Sequence, residues 1–269
     1  MASLAASLLD LREMDRIALQ KTSLHRLDPR AKVLATACFL VVLGSYNRLE
    51  VSSLLPLAVF PVALAAFGDV PFGFFLRKVL LGLPFILILG IFLPVLDPVP
   101  MMRIGSLDVS GGWLAYGSLM VRGTLAVATA TALVAVTGFG DVCAGLGRLG
   151  SPRFFVQQLL FLYRYLYVVG EETQRSLLAR ELRSHGRSMG WREYPSFTGS
   201  LLLRSWERAE RIHTALLARG FSGTLPARAY GTSAIEAWAF MLGWSGFFLC
   251  CRLFPLPRLL GALVSGGTS

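Results

Sequence analysis

Long apolar runs, broken in two places by charge-rich segments, set the pattern of this chain. The runs cover residues 32–47, 50–67, 79–97, 112–137 and 232–254. About 20 mostly apolar residues span a hydrocarbon core, so the pattern predicts five membrane helices, the first of them the shortest. Pro56, Pro61, Pro84 and Pro94 fall inside the second and third runs. They predict kinks, which membranes tolerate where neighbouring helices satisfy the freed carbonyls. Over residues 152–222 the pattern changes to a helical period with polar faces, predicting two long amphipathic helices broken at Gly186–Pro195. The first runs from about Pro152, a residue suited to a first turn, to about Ser184. The second runs from about Thr198 to Arg219 and stops at Gly220. Leu202, Trp206, Ala209, Ile212 and Leu216 recur on one of its faces at three- to four-residue spacing. Arg204, Arg208 and the favourable i,i+4 pair Glu207–Arg211 occupy the others.

Charge orients these elements. Residues 1–32 carry six basic residues (Arg12, Arg16, Lys21, Arg26, Arg30 and Lys32), and residues 140–230 carry thirteen arginines against seven acids. Both segments are expected to be cytoplasmic, and four spans between them give the right parity. Arg77 and Lys78, in a loop predicted at 68–78, fall on the same side. A fifth span leaves the C-terminus outside with Arg252 and Arg258. Residues 154–170 are apolar enough to suggest a further span. That reading would put Gln157, Gln158 and Arg164 in lipid at a cost of several kcal/mol, so one long helix continuing into the cytoplasm is preferred. The fold class is therefore an all-α integral membrane protein of about five transmembrane helices with a two-helix cytoplasmic insert. Its parts are an N-terminal cytoplasmic segment 1–31, a four-span bundle 32–137, a cytoplasmic domain 138–231, a last span 232–254 and a tail 255–269.

Composition changes the picture mainly by exclusion. With 54% hydrophobic and 16% charged residues and a mean hydropathy of +0.60, the chain has too few charges for a soluble domain, where about 25% is usual. It is also too apolar for disorder. Met1–Leu11 lacks a positive n-region and is not read as a cleaved signal peptide. Cys38, Cys143, Cys250 and Cys251 form no metal-type spacing, and no histidine falls in a predicted span, so no metal site is expected. The three lysines, Lys21, Lys32 and Lys78, follow no glycine, which excludes a P-loop. Gly145, Gly147 and Gly150 match a dinucleotide fingerprint by spacing, but they follow a span rather than a strand and read as a connector. No catalytic constellation is present, so no catalytic residue is assigned and the chain is not expected to be an enzyme. Nucleic acid binding is disfavoured by the acids interspersed among the arginines. Arg122, about eleven residues into the fourth run, is the intramembrane polar candidate. It fits either pairing inside the bundle or a functional site.

Both insert helices end in arginine followed closely by a helix stop, as R-E-L-R-S-H-G and A-L-L-A-R-G-F. Ordinary C-terminal capping accounts for this. So do two cationic prongs for acid-lined grooves of another protein, or a patch for anionic lipid headgroups.

The segments S-L-H-R-L-D-P-R-A-K (Ser23–Lys32), R-L-G-S-P-R-F-F (Arg148–Phe155), Y-R-Y-L (Tyr163–Leu166), A-R-E-L-R-S (Ala179–Ser184) and above all G-S-L-L-L-R-S-W-E-R-A-E-R-I-H-T-A-L-L-A-R-G-F-S-G (Gly199–Gly223) resemble the transmembrane T component of energy-coupling factor transporters, in its CbiQ form. The resemblance implies cobalt uptake of the kind that feeds cobalamin biosynthesis, in a multi-pass subunit of a prokaryotic plasma or inner membrane. A nickel- or vitamin-directed version is the nearer alternative, and a self-sufficient secondary carrier the more distant one. It implies two partners besides the bilayer: a pair of ABC-type ATPases, which hold ATP and magnesium, and a small capture subunit, which holds the cobalt. This chain then needs no cofactor of its own. It further implies that arginine motifs at the two tips dock into the ATPases. The second motif is intact as Ala218-Arg219-Gly220. The first departs from it, offering Arg180 or Arg183 before Ser184, with Arg183 favoured. Leu202, Trp206, Ala209 and Ile212 are implied to pack the capture subunit.

Overall fold

The computed structural model describes residues 2–20, 22–47, 52–96, 100–104, 107–185, 187, 189–221 and 234–253. Lys21, Arg48, Gly186, Arg228, Arg258 and the tail 255–269 lie outside them. In chain order the helices are α1 (Ala2–Ala18), α2 (Ser23–Arg26), α3 (Pro29–Ser45), a 3-10 helix (Ser52–Ala58) leading into α4 (Val59–Phe67), α5 (Phe72–Gly90) and α6 (Leu93–Leu96). After a hairpin of β1 (Pro100–Ile104) and β2 (Leu107–Ser110) come α7 (Gly111–Thr137), α8 (Phe139–Arg148), α9 (Arg153–Arg183), α10 (Tyr194–Ala218) and α11 (Ala234–Leu253). The short antiparallel hairpin was not foreseen in an otherwise helical chain.

Contacts divide the chain into two compact units, one of Asp15–Gly145 with Ala229–Ser269 and one of Met1–Met14 with Leu146–Arg228. The first is the apolar bundle. Asp28 accepts a hydrogen bond from the Arg30 amide at 3.0 Å, and Pro29 occupies the first turn of α3, an orthodox helix start. Lys32 is only 2% exposed and lies within the electrostatic influence of Asp141 and Asp28. It is therefore not a free surface charge. Nearby, burial and then the Lys32 charge hold the His25 imidazole below the ordinary histidine value.

Four boundaries differ from the sequence expectation. The third run begins at Phe72 rather than 79, because Pro71 caps the helix and Arg77 and Lys78 are absorbed into its second turn. It also ends at Gly90, with Pro94 in the separate α6. The second run is not one α-helix: Pro56, which has no amide to donate, lies in the 3-10 segment, and α4 starts after it. α10 starts at Tyr194 rather than 198, since Pro195 sits in the first turn and opens the helix instead of breaking it.

Helix directions follow from the side-chain contacts. Gly90 meets Tyr116, Gly82 meets Val127 and Gly123 meets Ile86, so α5 and α7 are antiparallel and approach closely where side chains are absent. Phe39 meets Phe248 edge to face with centroids 5.4 Å apart, and Arg252 donates to the Ser45 carbonyl at 3.1 Å, which makes α3 and α11 parallel. Gly68 abuts Val136, and Leu24 and Leu27 share a cavity with Leu64 and Phe67. Hence α3, α5 and α11 point one way, and α4 and α7 the other. Phe39, Phe60, Trp244 and Phe248 form the aromatic centre of this unit.

Among the described residues two helices, α5 and α7, are long and apolar enough to cross a membrane. On α5 only Phe74, Val79, Ile86 and Gly90 are buried, while Leu80, Leu81, Phe85, Ile88 and Leu89 face outward. An apolar surface of that extent is of the kind that a membrane or a partner protein covers.

Candidate coupling site

The second unit is built on α9 and α10. At 1.5 Å per residue, the 31 residues of α9 extend about 46 Å and the 25 of α10 about 37 Å. Three contacts fix them as an antiparallel pair. Arg180 pairs with Glu193 at one end, Arg208 pairs with Glu172 in the middle, and Phe161 meets Phe221 with ring centroids 6.4 Å apart at the other. On α9 the adjacent Glu171 serves a different partner, Arg12 of α1, with Arg175 at 3.7 Å on its own helix. Neighbouring carboxylates about 100° apart around one helix thus tie α9 to α1 on one side and to α10 on another.

Because the pair is antiparallel, its two arginine-bearing ends lie at opposite extremes, separated by roughly the 37 Å length of α10. Their terminations differ. At the end of α10, Arg219 is the cap residue and Gly220 takes a left-handed φ of +71°. The Gly220 amide donates to the Leu217 carbonyl at 2.9 Å and the Phe221 amide to the Leu216 carbonyl at 3.0 Å, the two bonds of a Schellman motif. At the end of α9 the cap residue is Ser184, and the left-handed position, φ +53°, belongs to His185. Arg183 is therefore the last helical residue, whereas Arg219 stands one step beyond its helix. Sequence alone showed the two ends as one repeated signature; the position of the left-handed residue distinguishes them.

Arg183 and Arg219 are both exposed, and no carboxylate among the described residues pairs with either. Arg180 differs in being tied to Glu193. Ser184 is half-buried; its hydroxyl donates to the Glu181 carbonyl at 3.2 Å and lies 3.1 Å from the Arg187 carbonyl. The apolar stripe of α10 divides. Ala209, Ile212 and Leu216 line a groove with Phe161, Tyr165 and Val169 of α9, while Leu202 and Trp206 stay 67% and 72% exposed. Arg122 lies in the other unit, donating to the Asn47 carbonyl just beyond the C-terminus of α3. Arg252 caps the same terminus through Ser45 and stacks over Tyr46. Two cations at one helix C-terminus offset its unpaired carbonyls and dipole, a structural role for Arg122. Of the glycine trio, Gly145 lets Pro29 approach, Gly147 lets Val156 approach, and Gly150 adopts φ +104°, all packing and turn roles. No metal-type cluster occurs among the described residues.

An outward apolar surface on the bundle and a long antiparallel helix pair, with an exposed arginine at each end, define a helical protein of membrane character with a second compact helical unit. The chain belongs to the cobalt transport protein family, whose model matches residues 20–230, and it is a membrane subunit of that transporter class. It is 26% identical to the energy-coupling factor transporter transmembrane protein EcfT of Bacillus subtilis, over 74% of this chain and 80% of that one. It is 27% identical to the cobalt transport protein CbiQ of Rhodobacter capsulatus over 40% of this chain and 45% of that one. Similarity to the nickel permease LarQ of Lactiplantibacillus plantarum is 29% identity over 41% and 42% of the two chains.

Proposed function

We propose that this chain is the transmembrane coupling subunit of an energy-coupling factor importer. It passes the ATP-driven movement of an ABC-type ATPase pair to a small capture subunit in the membrane. The reading rests above all on the placement of Arg183 and Arg219, exposed at opposite ends of one antiparallel helix pair. Two copies of an ATPase present two like grooves some distance apart, and a stiff pair of helices spaces its contacts to reach both. Arginine suits each tip because its charge is permanent and its fork of donors is rigid. In this reading Ala218, Arg219 and Gly220 form one ATPase contact, and Arg183 with Ser184 forms the other.

Closure of the ATPases moves both tips, and the pair carries the displacement to the exposed surface around Leu202 and Trp206, where the capture subunit packs. Ala209 and Ile212 hold α10 against α9 beneath that surface. ATP and magnesium belong to the ATPases and the transported ion to the capture subunit. The spans are α3, the 3-10 helix with α4, α5, α7 and α11. The N-terminus and the domain 138–231 are cytoplasmic, in a prokaryotic plasma or inner membrane. Cobalt is the favoured substrate by family; nickel is the alternative, given the similarity to a nickel permease. A self-sufficient carrier is disfavoured because Arg122, its one candidate intramembrane group, is engaged at the end of α3.

The test is a mild-detergent pull-down of the tagged chain with its ATPases, paired with uptake of radioactive cobalt and nickel. Arg183→Glu and Arg219→Glu should each weaken ATPase retention by on the order of 2–5 kcal/mol and abolish uptake. Uptake at the unmutated rate in both variants would sink the reading.

A further inference from the structure

The first tip contains two arginines three residues apart, on nearly the same face of α9, and their surroundings are unlike. Arg180 is paired with Glu193, the residue that precedes α10, and its side chain is 29% exposed. The same Glu193 oxygen accepts a hydrogen bond from the Gly190 amide at 3.3 Å. Across the turn, the Ser184 amide donates to the Arg180 carbonyl at 2.9 Å and the Arg187 amide to the Ser184 carbonyl at 3.2 Å. Arg180 and Glu193 therefore close a loop whose two ends are the last turn of α9 and the first of α10. One turn on, Arg183 is exposed with no ion-pair partner among the described residues. Both arginines line a basic cleft of about 470 Å³ together with Arg175 and Arg204.

For Arg180 to enter a groove on another protein, it would have to abandon Glu193 and leave that carboxylate unpaired. Arg183 has no ion pair to give up among the described residues. The Glu193 carboxylate also offsets the Arg180 charge that would otherwise repel Arg183 at i,i+3. A helix end frays unless it is tied down, and a frayed tip cannot move a helix. We infer that Arg180 is a positioning residue that braces the α9–α10 connector through Glu193, and that Arg183 is the residue the brace presents to the partner. The assignment to a partner rests on the coupling reading above; the brace itself does not.

The experiment compares full-length Arg180→Glu, Glu193→Arg, the double charge swap, Arg183→Glu and Arg219→Glu in two ways. One is hydrogen exchange of the Ser184 and Arg187 amides in the purified chain; the other is retention of the ABC-type ATPases in a mild-detergent pull-down. The single changes at 180 and 193 should speed exchange and cut retention about fivefold, a usual coupling for a contacting pair. The double swap should restore both. Arg183→Glu should lose retention while leaving exchange unchanged. A swap that restores exchange but not retention would overturn the inference, because Arg180 itself would then touch the partner. Single changes that leave exchange unaltered would overturn it as well. If Arg183→Glu and Arg219→Glu both keep full retention, the coupling reading fails instead, and the exchange data alone decide whether the brace exists.

Discussion

At the scale of single residues, the two helix ends turn on which residue accepts a positive φ. Gly220 does so without a Cβ, and nothing lies within 4 Å of where one would project. Gly220→Ala should therefore cost only the conformational penalty, about 1–2 kcal/mol, without a clash. It should show as faster amide exchange at Phe221 and poorer ATPase retention. Equal exchange in the two proteins would mean that the Schellman bonds do not hold this tip. His185 carries the same backbone duty with a side chain, in a residue type that tolerates it better than most. The sequence marked Gly220 as a stop. It gave no sign that His185, rather than Ser184, would turn the chain, because both follow an arginine-rich last turn.

At the scale of elements, helix contact in the bundle depends on glycine. A Cβ on Gly90 would come within 2.7 Å of the Tyr116 ring, whereas one on Gly117 would meet nothing within 4 Å. Gly90→Ala should thus destabilise by about 1–3 kcal/mol through overpacking, and Gly117→Ala should be neutral or slightly stabilising. Thermal unfolding in detergent checks the contrast, and equal effects at the two positions would contradict the α5–α7 register. Hydropathy located α5 and α7 because each is apolar over most of its length. It misplaced the starts of α5 and α10, since Pro71 and Pro195 initiate helices here and a proline read from sequence fits a break equally well. It read residues 1–31 as a segment without predicting α1, and nothing local announced that Arg12 would pair with Glu171, 159 positions away.

At the scale of the whole molecule, the alternating directions of α3, α4, α5, α7 and α11 place the start of α3, the α4–α5 turn and the end of α7 at one end of the bundle. A reporter that fluoresces only in the cytoplasm should therefore glow when fused at the N-terminus or within 187–192, and stay dark when fused at the C-terminus. Fluorescence from the C-terminal fusion would remove one span from the proposal. The sequence by itself determined that the chain lives in a membrane, because its apolar runs exceed what one core can bury. It also determined that two arginine-tipped helices stand apart from those runs, because a helical period of apolar positions with polar faces is a local property. Family membership was legible in the same local segments. Tertiary structure alone decided which charges are free. Lys32 and Arg180 look no different from Arg183 and Arg219 along the chain, and Arg122 stands out only by the apolar run around it. The burial of Lys32, the Asn47 carbonyl at Arg122 and the Glu193 carboxylate at Arg180 arise only from packing and from the return of α10 along α9. Whether a charge is available to another molecule depends on those distances in space, which sequence spacing does not encode.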